Sequence, residues 1–239
     1  MLKIEHLTKT FGEKKAVDNL SLHIKPGEIY GFIGHNGAGK TTTLKSVAGI
    51  QNCDSGTITI DGKSIIDSPT ECKRIFAYIP DNPDIYDYMT GIQYLNFIGD
   101  IFEVDAKVRE ELIHKYASEL EIEDSLAQSI SEYSHGMKQK LTIVSAWIHK
   151  PKLIIMDEPF VGLDPSAAFK LKGMMRDLCD AGGAIFFSTH VLEVAEKLCD
   201  KIAIIKQGRL IKSGTMEEVR GDESLEEVFL ELEDVKDAD

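Results

Sequence analysis

Three short stretches of this sequence carry residue types that can act together on a phosphate. The first is GHNGAGKTT, residues 34–42, in which Gly34, Gly39, Lys40 and Thr41 fit the spacing Gly, four residues, Gly-Lys-Ser/Thr. A loop so poor in side chains can wrap an anion with its N–H groups turned inward. Gly34, His35, Asn36, Gly37, Ala38, Gly39, Lys40, Thr41 and Thr42 therefore form one candidate phosphate cradle. The helix that such a loop opens adds the positive end of its dipole. Lys40 is placed to reach β- and γ-phosphates, and the Thr41 hydroxyl to ligate Mg²⁺. The second stretch is LIIMDEP, residues 153–159, apolar until it reaches Asp157 and Glu158. A buried strand that ends in two acids sets them at the carboxyl edge of a sheet, where open α/β folds bind ligands. A cation there offsets the cost of their desolvation. Asp157 suits the Mg²⁺ side, and Glu158 suits polarising a water aimed at a γ-phosphate. In the third stretch, FFSTH, another apolar strand ends at His190, which should face the same crevice.

These residues need strands to carry them. LKIEHLTKTF and NLSLHI alternate, with Leu20, Leu22 and Ile24 on one face, and GTITIDG continues the pattern. The opening segment thus reads as antiparallel strands leading into the strand before the phosphate loop. From Thr90 to about His149 the pattern becomes helical, opened by Thr90 and Gln93 at capping-box spacing. After Pro151 apolar strands and helices alternate again, which implies a mostly parallel sheet. In VGLDPS, Asp164 reads as a helix N-cap with Pro165 at the first helical position.

The ordered set GHNGAGKTT, YSHGMKQKL, LIIMDEP, VGLD and STH resembles the nucleotide-binding domain of ATP-binding cassette (ABC) transporters, over roughly residues 1–220. The resemblance, nearest to bacterial exporter cassettes through the tail SLEEVFLELE, implies an α/β fold. That fold is a P-loop NTPase core of mostly parallel sheet with an N-terminal antiparallel β subdomain and an inserted α-helical subdomain. Residues 1–89 and 150–220 would form the core, 90–149 the helical insert, and 221–239 an acidic C-terminal tail, which its charge balance reads as a solvated terminal helix. It further implies that Phe11 stacks on adenine, that Glu158 is the general base or water-positioning group, and that His190 contacts the γ-phosphate. ATP and Mg²⁺ would be bound between two cassettes paired head to tail, one offering the phosphate loop and the other the signature Ser134–Met137. The second cassette and a transmembrane permease subunit are the implied partners, with the chain on the inner face of the cell membrane.

Two stretches depart from the family pattern. The signature reads YSHGM rather than Leu-Ser-Gly-Gly-Gln, so Ser134 and Gly136 remain while His135 and Met137 replace a glycine and a glutamine. Where the family usually offers a glutamine to Mg²⁺, YIPDNP has Asp81, either a shorter, charged stand-in or a turn residue capping its own backbone. A soluble ABC-type ATPase outside transport, or an ATP-operated scaffold with negligible turnover, remains the alternative.

Composition narrows the classes. The chain has 239 residues, 43% of them hydrophobic, and a formal charge of −13. Eleven acids and two bases fall from Met216 onward, so the body is only mildly acidic and has no dense basic patch. Nucleic acid is not expected as a partner, because phosphate backbones need concentrated positive charge. No apolar run approaches the roughly 18 residues that span a bilayer, and MLKIEHLTKTFG lacks a signal-peptide core, so a cytoplasmic chain without direct membrane insertion is expected. Cys53, Cys72, Cys179 and Cys199 are widely spaced, as expected for reduced thiols rather than a metal site.

Overall fold

Two kinds of strand, distinguished by how much of each is buried, give two different sheets. The computed structural model describes residues 1–234. β1 (Leu2–Phe11) pairs antiparallel with β2 (Lys14–Ile24) and with β4 (Ser55–Ile60), and β5 (Lys63–Ser64) completes the order β2-β1-β4-β5. Leu20, Leu22 and Ile24 point inward, as a period of two requires of a half-buried strand. By contrast β3 (Ile29–Ile33), β7 (Leu153–Asp157) and β8 (Ala184–Thr189) are buried along their whole length, the mark of parallel strands covered on both faces. With β6 (Phe76–Ile79), β9 (Lys201–Lys206) and β10 (Arg209–Thr215) they form a sheet of order β10-β9-β3-β8-β7-β6, in which only β10 runs antiparallel.

Side chains alternate across this second sheet and build two cores. Phe32, Ile155 and Phe186 face the antiparallel sheet, together with α1 (Lys40–Val47). Ile33, Met156 and Phe187 face the other way, onto helices. Those helices are α3 (Gly91–Ile101), α4 (Ala106–Glu119), α5 (His135–Trp147), α6 (Pro165–Asp180) and α7 (Leu192–Leu198); the short α2 (Pro69–Lys73) precedes β6. The Thr90–Gln93 capping box forms in both directions, and Asp164 and Pro165 begin α6 as the sequence implies. Leu141, Val144 and Trp147 of α5 share one apolar cluster with Ile154 and Met156 of β7, so the helical segment is fused to the sheet through its core. The fold is the expected α/β arrangement of mostly parallel sheet, antiparallel sheet and helices.

The solvated acidic tail is corrected in part. After α8 (Met216–Arg220), α9 (Leu225–Asp234) buries Leu225, Val228 and Phe229, and packs on α7 and α8. Its acids occupy one face, and apolar residues three and four apart occupy the other, so it is amphipathic rather than solvated. Residues 235–239 of that tail lie outside the described residues.

Three carboxyl ends lie side by side because β8 sits between β3 and β7, with Ile33 opposite Thr189 and Asp157 opposite Ser188. β3 reaches that edge through a tight passage: a Cβ on Gly31 would stand 2.6 Å from Cys199 Sγ. Gly31→Ala is therefore expected to cost about 1–3 kcal/mol, the usual range for an overpacked core. Denaturant unfolding should show a smaller cost for the same change in a Cys199→Ala background, where the sulfur is gone.

Candidate functional site

The phosphate loop leaves β3 and turns directly into α1. Gly39 is the N-cap of that helix at φ 107°, a left-handed conformation that favours glycine. A Cβ there would also collide with the Ala16 carbonyl oxygen of β2, so the loop rests against the antiparallel sheet. In front of it opens a cleft of about 300 Å³ lined by Phe11, Lys14, Ala16, His35, Asn36, Gly37, Gly39, Lys40, Thr41, Thr42, Asp81, Asp157 and Glu158. Gly34 and Ala38 shape the loop from behind: the Gly34 carbonyl accepts from Lys40 Nζ at 2.6 Å, and Ala38 N–H donates to the His35 carbonyl at 3.1 Å. Phe11 is 52% exposed at the rim, with the Lys9 ammonium 5.5 Å from its ring centre. A flat, half-open ring in that place can stack a base.

Charge concentrates at the back of the cleft. Lys40 is 6% exposed and lies 3.5 Å from Glu158 Oε1, which also sits 2.9 Å from His190 Nδ1, an ion-pair distance without hydrogen-bond alignment. Glu158 adopts φ 48°, a costly conformation for a residue with a Cβ, and one that turns its carboxylate away from the line of β7. Asp157 is 1% exposed; Oδ1 accepts from Ser188 Oγ, while Oδ2 is buried without a partner. Burial pushes the Asp157 pKa up, the Ser188 and Thr41 hydroxyls pull against that, and the Asp81 and Glu158 charges add to it. A buried carboxylate oxygen with nothing to bind suits a cation, and Thr41 and Asp81 share its cleft. Among the described residues no three His, Cys, Asp or Glu converge into a metal site complete in itself.

Ser134 and Gly136 are not part of this cleft. Ser134 caps α5 by accepting from Met137 N–H at 3.3 Å, so the helix N-terminus expected of the signature is present. A Cβ on Gly136 would meet the Gly162 carbonyl oxygen at 2.6 Å, and the His135 ring occupies the space beside Gly162 itself. Lys140 pairs with Asp164 at 2.7 Å, and Gln139 Nε2 donates to the Pro159 carbonyl at 3.4 Å. The start of α5 is thus fastened to the segment that follows Glu158. Sequence reading passed over Ser188, which binds Asp157 and accepts from Glu158 N–H at 3.1 Å. Its only signal is its place in a strand end, legible once β8 is known to neighbour β7. Lys14 and Ala16 were also missed, because nothing in β2 marks them.

A family model described as ABC transporter matches residues 17–161. An uncharacterized ABC transporter ATP-binding protein, YxlF of Bacillus subtilis, is 38% identical over 220 residues, covering 92% of this chain and 72% of its own length. The ABC-type transporter ATP-binding protein EcsA of the same organism is 32% identical, over 97% of this chain and 96% of its own. A solved ATP-binding subunit of an ABC transporter superposes with a TM-score of 0.94 at 33% identity, covering 98% of this chain and 99% of its own.

Asp157 sets stability against chemistry. Its raised folded pKa means that the ionised form costs stability, a cost relieved as pH falls through that pKa. Asp157→Asn should raise the unfolding midpoint of the nucleotide-free protein at neutral pH, and that gain should vanish on acidification below the ordinary carboxylate range. The same variant should lose ATP turnover by about 10²-fold or more, the size of losing one placed charge in such a site.

Proposed function

The chain belongs to the ABC transporter family, and on that premise we propose that it is the ATP-hydrolysing subunit of a membrane transporter. It would work as one of two cassettes paired head to tail and be held at the inner face of the membrane by a separate permease subunit. One observation carries the pairing: a single cleft gathers the phosphate loop, Lys40, Thr41, Asp157 and Glu158, while Ser134 caps a helix outside it and Gly136 lies in that helix's first turn. A facing cassette would supply those two groups, and His135 and Met137 would flank them in place of the usual glycine and glutamine.

Each side chain then has a role that its surroundings support. The loop N–H groups and Lys40 would bind the phosphates, Phe11 would stack on adenine, and His190 would contact the γ-phosphate. Thr41 and Asp157 would hold Mg²⁺, with Asp81 reaching it through water, one methylene shorter than a glutamine. When bound, the ion neutralises charge that develops on the transferred phosphoryl group. Glu158 would orient the attacking water and take its proton, yielding ADP and phosphate. In the structure its carboxylate lies against Lys40, so it competes with a phosphate for the same ammonium.

A second cleft, of about 330 Å³, supports attachment to a permease. Pro80, Pro83 and Ile85 of the loop after β6, with Tyr94, Phe102 and Ala146 of the helical segment, form apolar walls that would accept a short helix. Among the described residues no helix is long and apolar enough to cross a membrane, so protein contacts would make the attachment.

Two variants test these assignments separately. Glu158→Gln should cut ATP turnover by about 10²–10⁴-fold while holding MgATP as tightly as wild type or more tightly, because the competitor for Lys40 is gone. Wild-type turnover would remove Glu158 from the chemistry. Ile50 is 60% exposed on the second cleft, so Ile50→Glu should leave folding and ATP binding intact and release the chain from membranes of its native host. Wild-type membrane sedimentation would point the transporter reading elsewhere, and a chain found only with soluble proteins would favour a role outside transport.

A further inference from the structure

We infer that Phe229, on α9 near the end of the chain, is a positioning residue for the phosphate loop and acts through the imidazole of His35. The two rings meet edge to face, with centroids 5.0 Å apart and planes at 66°. Phe229 is only 7% exposed, and Leu225 and Val228 beside it fix α9 against the body of the protein. The ring therefore presents a rigid wall to the loop rather than a mobile side chain. The Leu232 carbonyl of α9 also accepts from Lys206 Nζ, at the end of the strand that backs the loop.

The wall adds to fasteners of other kinds. The second half of the loop is held by backbone: the Ala38 carbonyl accepts from Gly208 N–H at 2.8 Å, and Gly39 lies against Ala16. Its first half is held by Lys40 Nζ, which donates to the carbonyls of Gly34 at 2.6 Å and His35 at 3.3 Å. A bound phosphate attracts that same ammonium and weakens this strut when the loop must be most ordered. The His35–Phe229 contact does not involve that ammonium, so a phosphate that draws Lys40 away leaves it in place. It fixes the His35 backbone, and so the direction of the N–H groups that follow it. The inference rests on reading residues 34–42 as the phosphate cradle. It adds that residues beyond the family-matched span 17–161 set how well that cradle is ordered.

The test uses the full chain and titrates MgATP, with thermal unfolding recorded for every variant. Phe229→Leu keeps apolar volume but removes the ring edge, and it carries the test should Phe229→Ala fail to fold. Phe229→Leu is expected to weaken MgATP binding about two- to tenfold, the range that one edge-to-face pair accounts for. Turnover at saturating ATP should be retained, so the effect appears in KM rather than kcat, and Phe229→Tyr should restore affinity. In a His35→Ala background, Phe229→Leu should weaken binding no further. Unchanged affinity with only a lower melting temperature would overturn the inference, as would equal losses in both backgrounds. A wild-type chain that binds no MgATP would overturn the nucleotide reading itself, and this inference with it.

Discussion

The burial of opposite charge at the carboxyl ends of three adjacent parallel strands governs the arrangement of this molecule. Lys40 and Asp157 are almost wholly out of water, and Glu158 is close to it. Isolated charges in such a place would be neutralised, the carboxylates by gaining a proton and the ammonium by losing one, or kept out of the core. Here Lys40 is shared among the Gly34 and His35 carbonyls and Glu158, while Ser188 holds Asp157 and the Glu158 backbone. The compensation is partial, since Asp157 Oδ2 has no partner and Glu158 sits at a positive φ. A site left short of positive charge and held in a strained backbone has the chemistry to suit a cation.

The residues that follow Glu158 are in turn tied to a neighbouring helix. The start of α5 is fixed to the residues after Glu158 by Lys140–Asp164, by Gln139 and by the close approach of Gly136 to Gly162. The turn after Glu158 and the helix that Ser134 caps are thus in direct contact. His135, the unusual residue of the signature, fills the space next to Gly162, so it belongs to this packing whatever it does toward a second chain.

The second cleft is coupled to the first by proximity. Tyr78 lines it, yet its buried hydroxyl has no partner, and its pKa is pushed up by burial and by the charges of Asp157 and Asp81. One strand, β6, therefore separates an apolar groove from the acidic side of the nucleotide cleft. His149 is half-buried in the same groove, stacked on Phe102 at 3.8 Å, and desolvation lowers its pKa against the pull of the Phe76 and Ser145 backbone.

Local signals in the sequence were enough for the elements and for the motif residues. Alternation marked the half-buried strands, unbroken apolar runs marked β3, β7 and β8, and the Thr90–Gln93 box and Asp164–Pro165 marked two helix starts, because each depends on neighbours a few residues away. The glycine spacing of the phosphate loop was legible for the same reason: φ and close approach are fixed within the loop. What tertiary structure decided depends on strand order and on residues far apart in the chain. Ser188 meets Asp157 only because β8 is inserted between β3 and β7, and Asp81 shares a cleft with Asp157 only because β6 lies beside β7. Residues 225–232 read as part of a solvated acidic tail because the stretch from Met216 onward carries eleven acids against two bases. The apolar residues at helical spacing acquired meaning only when α7 and the back of the phosphate loop supplied a surface to cover them. That surface is assembled from distant segments, and no local pattern encodes it.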